Sequence, residues 1–354
     1  MNCCSECFYD EEIIAIIKGE KLRGNCDICG KKNVNICDIN HEAIQTNFKS
    51  LIDVYVPILN TGDLDNNFLK DVLLDRWNIF NLKPNQVQTF LISLFPEDYK
   101  SNKALFENHV KVNPIIFDEY SMFGESNWNN FAKEIKEINR FHTQIIKLDF
   151  LQKIINYHAF TIPKLTKLYR GRILNSKTSY SKSEMGAPPK GKAKAGRINP
   201  DGISCLYLSD TIETTFYEIR AGLNDKAIVA DFILKEEVTV VDLTGIDAIS
   251  PFTWINSEAA IEDLASNIQH LKTIASEIAR PLCKSDKVLD YLPIQYICDY
   301  IKSENFDGIK YKSTLHEDGI NYAFFDENLF DCNNIETYEI SSLKYKYDKS
   351  KKKG

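Results

Sequence analysis

The chain lacks the features that would take a protein out of an aqueous cell interior. None of its apolar runs approaches the roughly 18 to 20 residues that a helical bilayer span needs, which argues against a membrane partner. The opening residues, Met1-Asn2-Cys3-Cys4-Ser5-Glu6-Cys7, carry neither the basic segment nor the apolar core of a secretory leader, so the expected location is cytoplasmic. There is no excess of positive charge. Lys and Arg number 43 against 50 Asp and Glu, a formal net charge of -7, whereas a general nucleic-acid binder is normally basic. The regular cysteine framework of a small secreted protein is also missing. Of 10 cysteines, six fall within the first 37 residues and the others are scattered, which fits a cytosolic metal site better than disulfides.

What is present divides the 354 residues into several parts, more than one core would usually serve. Residues 1–41 hold Cys4-x2-Cys7 and Cys26-x2-Cys29, a spacing that sets four thiolates on two turns as tetrahedral zinc requires. A closed set of four cysteines leaves no open position, so a structural Zn2+ in a zinc ribbon-like module is expected, with Cys4, Cys7, Cys26 and Cys29 as ligands. Cys3, Cys37 and His41 are spare donors. Residues 42–160 have mostly helical periodicity, in Ile52-Val56-Ile58-Leu59, Phe68-Val72-Leu73-Trp77 and Val87-Phe90-Leu91-Leu94. Phe131-Ile135-Ile138-Phe141-Ile145-Leu148 predicts one long amphipathic helix.

After Pro163 short β-branched and aromatic runs predict strands over 167–173, 203–208, 228–233, 238–243, 308–311 and 322–325. Helical patterns lie between them at 211–221, 261–279 and 292–303. The expected class is therefore α+β: a cysteine module, a helical domain, a mixed α/β region over 161–335 and a tail over 336–354. Residues 176–195 form a long Lys-, Ser-, Gly- and Pro-rich loop in which Lys190, Lys192 and Lys194 offer either an anion site or a solvated face.

Polar landmarks punctuate these strands. Arg170, Arg197, Tyr207, Glu218 and Ser313 supply the residue types that cleavage of a nicotinamide–ribose bond demands. Arginine forks match pyrophosphate oxygens, an aromatic face suits the nicotinamide, and one carboxylate stabilises an oxocarbenium-like sugar. Nicotinamide departs as a neutral base, so no general acid is required. Taken singly, each residue has an ordinary structural reading as a surface arginine, a turn, a packed aromatic, a helix glutamate or a turn cap.

Taken in order, Tyr169-Arg170, Gly196-Arg197-Ile198-Asn199-Pro200-Asp201-Gly202-Ile203, Leu206-Tyr207-Leu208-Ser209, Thr214-x3-Glu218-Ile219-Arg220, Asp307-Gly308-Ile309-x-Tyr311-x-Ser313 and Gly319 to Phe325 resemble the RES domain. The cysteine and helical regions resemble an N-terminal domain often attached to such proteins. The resemblance implies an ADP-ribosyltransferase-like mixed β-sheet core and consumption of NAD, by phosphorolysis or hydrolysis, as the toxin of a toxin–antitoxin pair. It implies that Arg170 and Arg197 hold phosphate and ribose, Tyr207 packs on the nicotinamide side, Glu218 stabilises the reacting ribose and Ser313 completes the pocket. Arg172, Arg220 and Asn321 are further candidates. An antitoxin or regulatory protein is an implied partner, and a homo-oligomer stays open. The alternatives are ADP-ribosyl transfer to a macromolecule, and nucleotide sensing without catalysis. The stretches 176–195 and 247–289 depart from compact RES proteins as insertions that cap the cleft or carry partner contacts.

Overall fold

Thirteen strands and a larger number of helices make up the computed structural model, which describes residues 1–58, 67–175, 179–246, 248–257, 259–280 and 287–343. In chain order the strands are β1 (Asn2–Cys4), β2 (Leu22–Gly24), β3 (Val34–Asp38), β4 (Tyr55–Pro57), β5 (Val110–Val112), β6 (Ala159–Ile162), β7 (Lys167–Ile173), β8 (Leu206–Ser209), β9 (Lys226–Leu234), β10 (Val238–Asp242), β11 (Gly308–Lys312), β12 (Ile320–Phe324) and β13 (Phe330–Glu339). The chain gathers into two units. One holds residues 1–131, 142–152 and 245–273; the other holds 132–141, 153–244 and 274–354. Among the described residues no helix is long and apolar enough to cross a membrane.

The first unit begins with the three-stranded sheet β1-β3-β2, which frames the cysteines. Behind it Phe8, Phe48, Phe80, Phe90 and Phe252 pack ring against ring, with Phe48 and Phe252 centroids 5.0 Å apart. Helices Glu42–Ile52 and Pro84–Leu94 bury the stripes that their three- and four-residue periodicity predicts. Two expectations change here. The helical reading through Val56 and Ile58 gives way after Ile52 to β4, paired with β5, because Tyr55 and Val56 suit a pleated edge and the Tyr55 hydroxyl accepts from Trp77 Nε1 at 2.8 Å. Leu59 lies outside the described residues.

The long helix expected from Phe131 to Leu148 is two helices, Trp128–Glu137 and Leu148–Tyr157. Between them the amide of Lys147 leaves the helical ladder to bond the Met122 carbonyl at 2.7 Å. Ile138 and Phe141, which lie between the two helices, stand exposed at 75% and 78%.

Much of the stretch 247–289, expected as an insertion, is core of the first unit. Phe252, Trp254, Leu264, Ile268 and Leu271 are all buried there. Buried Asn267 accepts from the Met122 amide at 2.7 Å and donates to the carbonyls of Tyr120 and Asp263 at 2.8 and 2.7 Å. This apolar repeat belongs to the 19-residue helix Ile261–Ala279, the bounds its periodicity predicts.

The second unit is built on an eight-stranded sheet in the order β13-β9-β7-β8-β12-β11-β10-β6. All neighbours run antiparallel except β10 and β11, which are parallel, so the sheet is mixed and the α+β expectation holds. Leu168, Leu206, Leu208, Ile228, Phe232, Val240 and Phe324 form its core. β13 was not foreseen: it extends past residue 335, where the tail was expected to begin. It is an edge strand, exposed at most positions and bulged between Cys332 and Ile335, so its sequence shows no clean alternation. Residues 344–354 lie outside the described residues.

Gly171 in β7 sets how closely the helix Ile212–Glu218 approaches the sheet. A Cβ there would lie 2.6 Å from Thr215 Cγ2 and 3.1 Å from Ile219 Cδ1. Gly171→Ala should therefore destabilise the second unit by about 1–3 kcal/mol through overpacking. Gly19→Ala, where a Cβ meets nothing within 4 Å, should be neutral or slightly stabilising. Urea unfolding of the two variants checks the contrast; equal midpoints would contradict the close packing.

Candidate functional site

The strands β7 and β8 share a single bridging pair, Tyr169 with Ser209, and then part. Arg170 fills the space where the ladder fails, its Nη1 donating to the Tyr207 carbonyl at 3.0 Å. A cavity of about 640 Å³ opens beside this point, inside the about 300–1,000 Å³ range of small-molecule sites. Arg170, Lys194, Arg197, Arg220 and Arg280 line it, and Glu218 is the one carboxylate among its described lining residues. Burial, then the like charge of Arg172, draws Arg170 down to about 10, which leaves it protonated at neutral pH.

Glu218 is the last residue of the helix Ile212–Glu218, a start fixed by Thr211, whose hydroxyl accepts from the Thr214 amide at 3.0 Å. Arg220, in the left-handed region at φ 52°, ends the helix, and the Ala221 amide returns to the Phe216 carbonyl at 3.0 Å. A carboxylate at a helix C-terminus opposes the macrodipole, so side chains must hold it. Ser313 Oγ donates to Glu218 Oε1 at 2.6 Å and Asn321 Nδ2 donates to the same oxygen at 2.7 Å.

Both donors are themselves directed. The Ser313 hydroxyl accepts from the amides of Leu315 and His316 at 3.2 and 3.1 Å, which turns its proton toward the carboxylate. Asn321 Oδ1 accepts from Ser209 Oγ at 2.9 Å, which fixes the amide orientation. His316 stacks on Tyr217 with centroids 4.7 Å apart and meets Thr214 Oγ1 through Nδ1 at 2.9 Å.

The Gly196–Asn199 turn forms another wall. Asn199 Nδ2 donates to the carbonyls of Lys194, Pro200 and Ile203, while its Oδ1 accepts from the Tyr207 hydroxyl at 2.7 Å. Buried Gln295 donates to the carbonyls of Gly196 and Asn199 at 2.6 and 3.0 Å. Gly196 is required, since a Cβ would sit 2.7 Å from Asn199 Oδ1 and 3.0 Å from the Tyr207 oxygen. Arg197 lines the cavity but commits Nη1 to the Glu277 carbonyl at 2.7 Å, in the last turn of the helix Ile261–Ala279, where a cation suits the dipole. Burial pushes up the phenols of Tyr207 and Tyr311, which keeps both lining residues neutral.

The expected residues therefore separate into roles. Arg170, Arg197, Tyr207, Glu218, Arg220 and Asn321 line one cavity. Ser313 is buried behind Glu218 rather than in the wall. Arg172 is directed elsewhere, with its guanidinium 5.7 Å over the Tyr180 ring. Sequence reasoning passed over Ser209, Gln295 and Arg280. Ser209 closes the Leu206-Tyr207-Leu208-Ser209 motif, and its contact depends on a partner 112 residues away. Arg280 follows the helix Ile261–Ala279, which lies within the stretch 247–289 expected as an insertion.

The cysteines of the first unit form a second constellation. Cys4 Sγ lies 3.5 Å from Cys7 Sγ and 3.6 Å from Cys29 Sγ, and Cys7 Sγ lies 3.6 Å from Cys26 Sγ. Four sulfurs about 2.3 Å from a tetrahedral zinc would lie about 3.8 Å apart, so the residues fit the ion. Gly30, at φ 77°, closes the Cys26–Cys29 turn, and the Cys29 amide donates to Cys26 Sγ at 3.4 Å. Hydrogen bonding from Cys7, against burial, draws the Cys26 thiol down from its ordinary value.

In comparison with protein families, residues 168–348 match the RES domain. No curated protein matches the chain. Among solved structures, the crystal structure of the M.tuberculosis MbcT-MbcA toxin-antitoxin complex is similar at 12% identity and a TM-score of 0.31, covering 55% of this chain and 93% of that one. The family match spans just over half of the sequence and includes the strands and helix that carry the cavity: the chain belongs to the RES domain family.

Proposed function

We propose that the cavity binds NAD and cleaves its nicotinamide–ribose bond, with phosphate or water as the acceptor. The observation that carries this reading is a single carboxylate, oriented by two donors, in a cavity whose other charged lining residues, among the described residues, are all cations. Arg170, joined by Lys194, Arg220 and Arg280, supplies positive charge for the dianionic pyrophosphate. Tyr207 and Tyr311 supply neutral aromatic surface for the nicotinamide.

Both hydrogen bonds to Glu218 fall on Oε1, which leaves Oε2 as the oxygen for the ribose hydroxyls and for the positive charge that develops at C1′. As the glycosidic bond lengthens, its electron pair leaves with nicotinamide and neutralises the pyridinium. The carboxylate offsets the oxocarbenium charge that remains on the sugar. An oxygen nucleophile then bonds to C1′. Water adds through an oxygen lone pair and gives up a proton to solvent, forming ADP-ribose, whereas phosphate adds through an anionic oxygen and forms the 1″-phosphate. In this scheme Ser313, Ser209 and Asn321 set the carboxylate's direction, and Arg197 holds the wall. Depletion of NAD would arrest growth, which accords with a toxin restrained by an antitoxin or another regulatory protein. Zinc at Cys4, Cys7, Cys26 and Cys29 would staple the N-terminal module and take no part in the chemistry.

Purified protein should release nicotinamide from NAD, and Glu218→Gln should lower the rate at least about a hundredfold. A rate that depends on inorganic phosphate marks phosphorolysis, and a phosphate-independent rate marks hydrolysis. Label retained on a macromolecule would favour ADP-ribosyl transfer, and no nicotinamide release under any of these conditions would contradict the assignment.

Ser313→Ala should reduce kcat more than it raises KM, because it frees the carboxylate without removing a cavity wall. Arg170→Ala should act chiefly on KM. The reverse pattern in steady-state kinetics would contradict these roles.

A further inference from the structure

Three metal-ligating side chains outside both constellations converge in the first unit: Glu20, Cys37 and His41, with one ligand atom from each lying within 4.8 Å of the others. They come from three separate elements. Cys37 is in β3, Glu20 is the C-cap of the helix Glu11–Gly19, and His41 is the N-cap of the helix Glu42–Ile52.

Neither helix-end residue serves its helix. An acidic side chain at a C-terminus opposes the macrodipole. Histidine is also outside the Ser, Thr, Asp and Asn set that caps N-termini, and the His41 side chain makes no capping hydrogen bond. Its Nε2 faces Glu20 Oε1 at 3.4 Å, longer than a good hydrogen bond, and its Nδ1 is buried without a hydrogen-bond partner. A divalent cation among the three side chains would take the one imidazole lone pair and neutralise a thiolate and a carboxylate together, which accounts for an imidazole and a carboxylate that face each other without a good hydrogen bond.

The position is separate from the four-cysteine site. In the β1–β3 register Cys3 opposes Cys37 and Cys4 opposes Ile36. Successive side chains of a strand point to opposite faces, so Cys37 projects to the face away from Cys4. Cys37 is 1% exposed, whereas the side chains of Glu20 and His41 are 38% and 32% exposed, so the site is anchored inside and open to solvent on one side.

We propose that Cys37, His41 and Glu20 form a second zinc site, with solvent on the fourth position. The mixed sulfur, nitrogen and oxygen donors match borderline-soft Zn2+ rather than Mg2+ or Ca2+, which prefer oxygen alone. With an open position and a single thiolate, this site exchanges its metal more readily than the closed four-cysteine site. Bound metal would tie two helix ends to the central strand of the small sheet.

The test is equilibrium dialysis of the full chain against Zn2+ followed by elemental analysis, with the unaltered chain compared with Glu20→Gln and His41→Asn. Asparagine is a better N-cap than histidine, so His41→Asn is expected to fold at least as well. Each variant should bind about one equivalent less than the unaltered chain, and a mild chelator should strip that equivalent first. A matching Cys26→Ser variant should lose a different equivalent, one that resists the chelator. If Glu20→Gln and His41→Asn retain the full zinc content of the unaltered chain, His41 and Glu20 are an ion pair and the second site does not exist.

Discussion

The convergence of Ser313 and Asn321 on one oxygen of Glu218 is the constraint around which the second unit is arranged. Each partner reaches the carboxylate from a different part of the sheet. Glu218 ends a helix that rests on Gly171 of β7, Asn321 lies in β12, and Ser313 follows β11. These elements must be in register before the carboxylate has a direction. The β11–β12 and β12–β8 ladders provide that register, pairing Tyr311 with Asn321 and Asn321 with Ser209. The buried hydroxyl and amide groups are costly unless satisfied, so the network itself specifies the arrangement.

The cavity results from interruptions of regular structure. A one-pair ladder between β7 and β8 leaves a gap beside Arg170, and the Gly196–Asn199 turn is held by Asn199 and Gln295 rather than by strand pairing. The last turn of the helix Ile261–Ala279 delivers Ala279 and Arg280 to the same cavity. Stability of the unit rests on the sheet core, while the candidate site lies at positions where the backbone departs from the sheet.

Much of this was legible in the chain, and what was not has identifiable physical causes. The strand at 167–173 and the helices at 261–279 and 292–303 have the bounds that their apolar periods predict, because burial determines both. The four-cysteine spacing likewise carried its own geometry. β13 escaped because an edge strand buries little, and the break after Glu137 escaped because the apolar spacing runs on through Ile138 and Phe141, which the fold leaves exposed. At the candidate site, residue types and order pointed to Arg170 and Glu218. The placement of Ser313 behind the carboxylate needed distances.

A crystal structure of the Glu218→Gln variant with NAD tests the central claim most directly, since impaired chemistry would leave the dinucleotide intact. The account predicts pyrophosphate oxygens against Arg170 and the nicotinamide ribose beside residue 218, with C1′ facing the side chain. NAD bound with its nicotinamide ribose at the far end from residue 218, or bound outside this cavity, would contradict it.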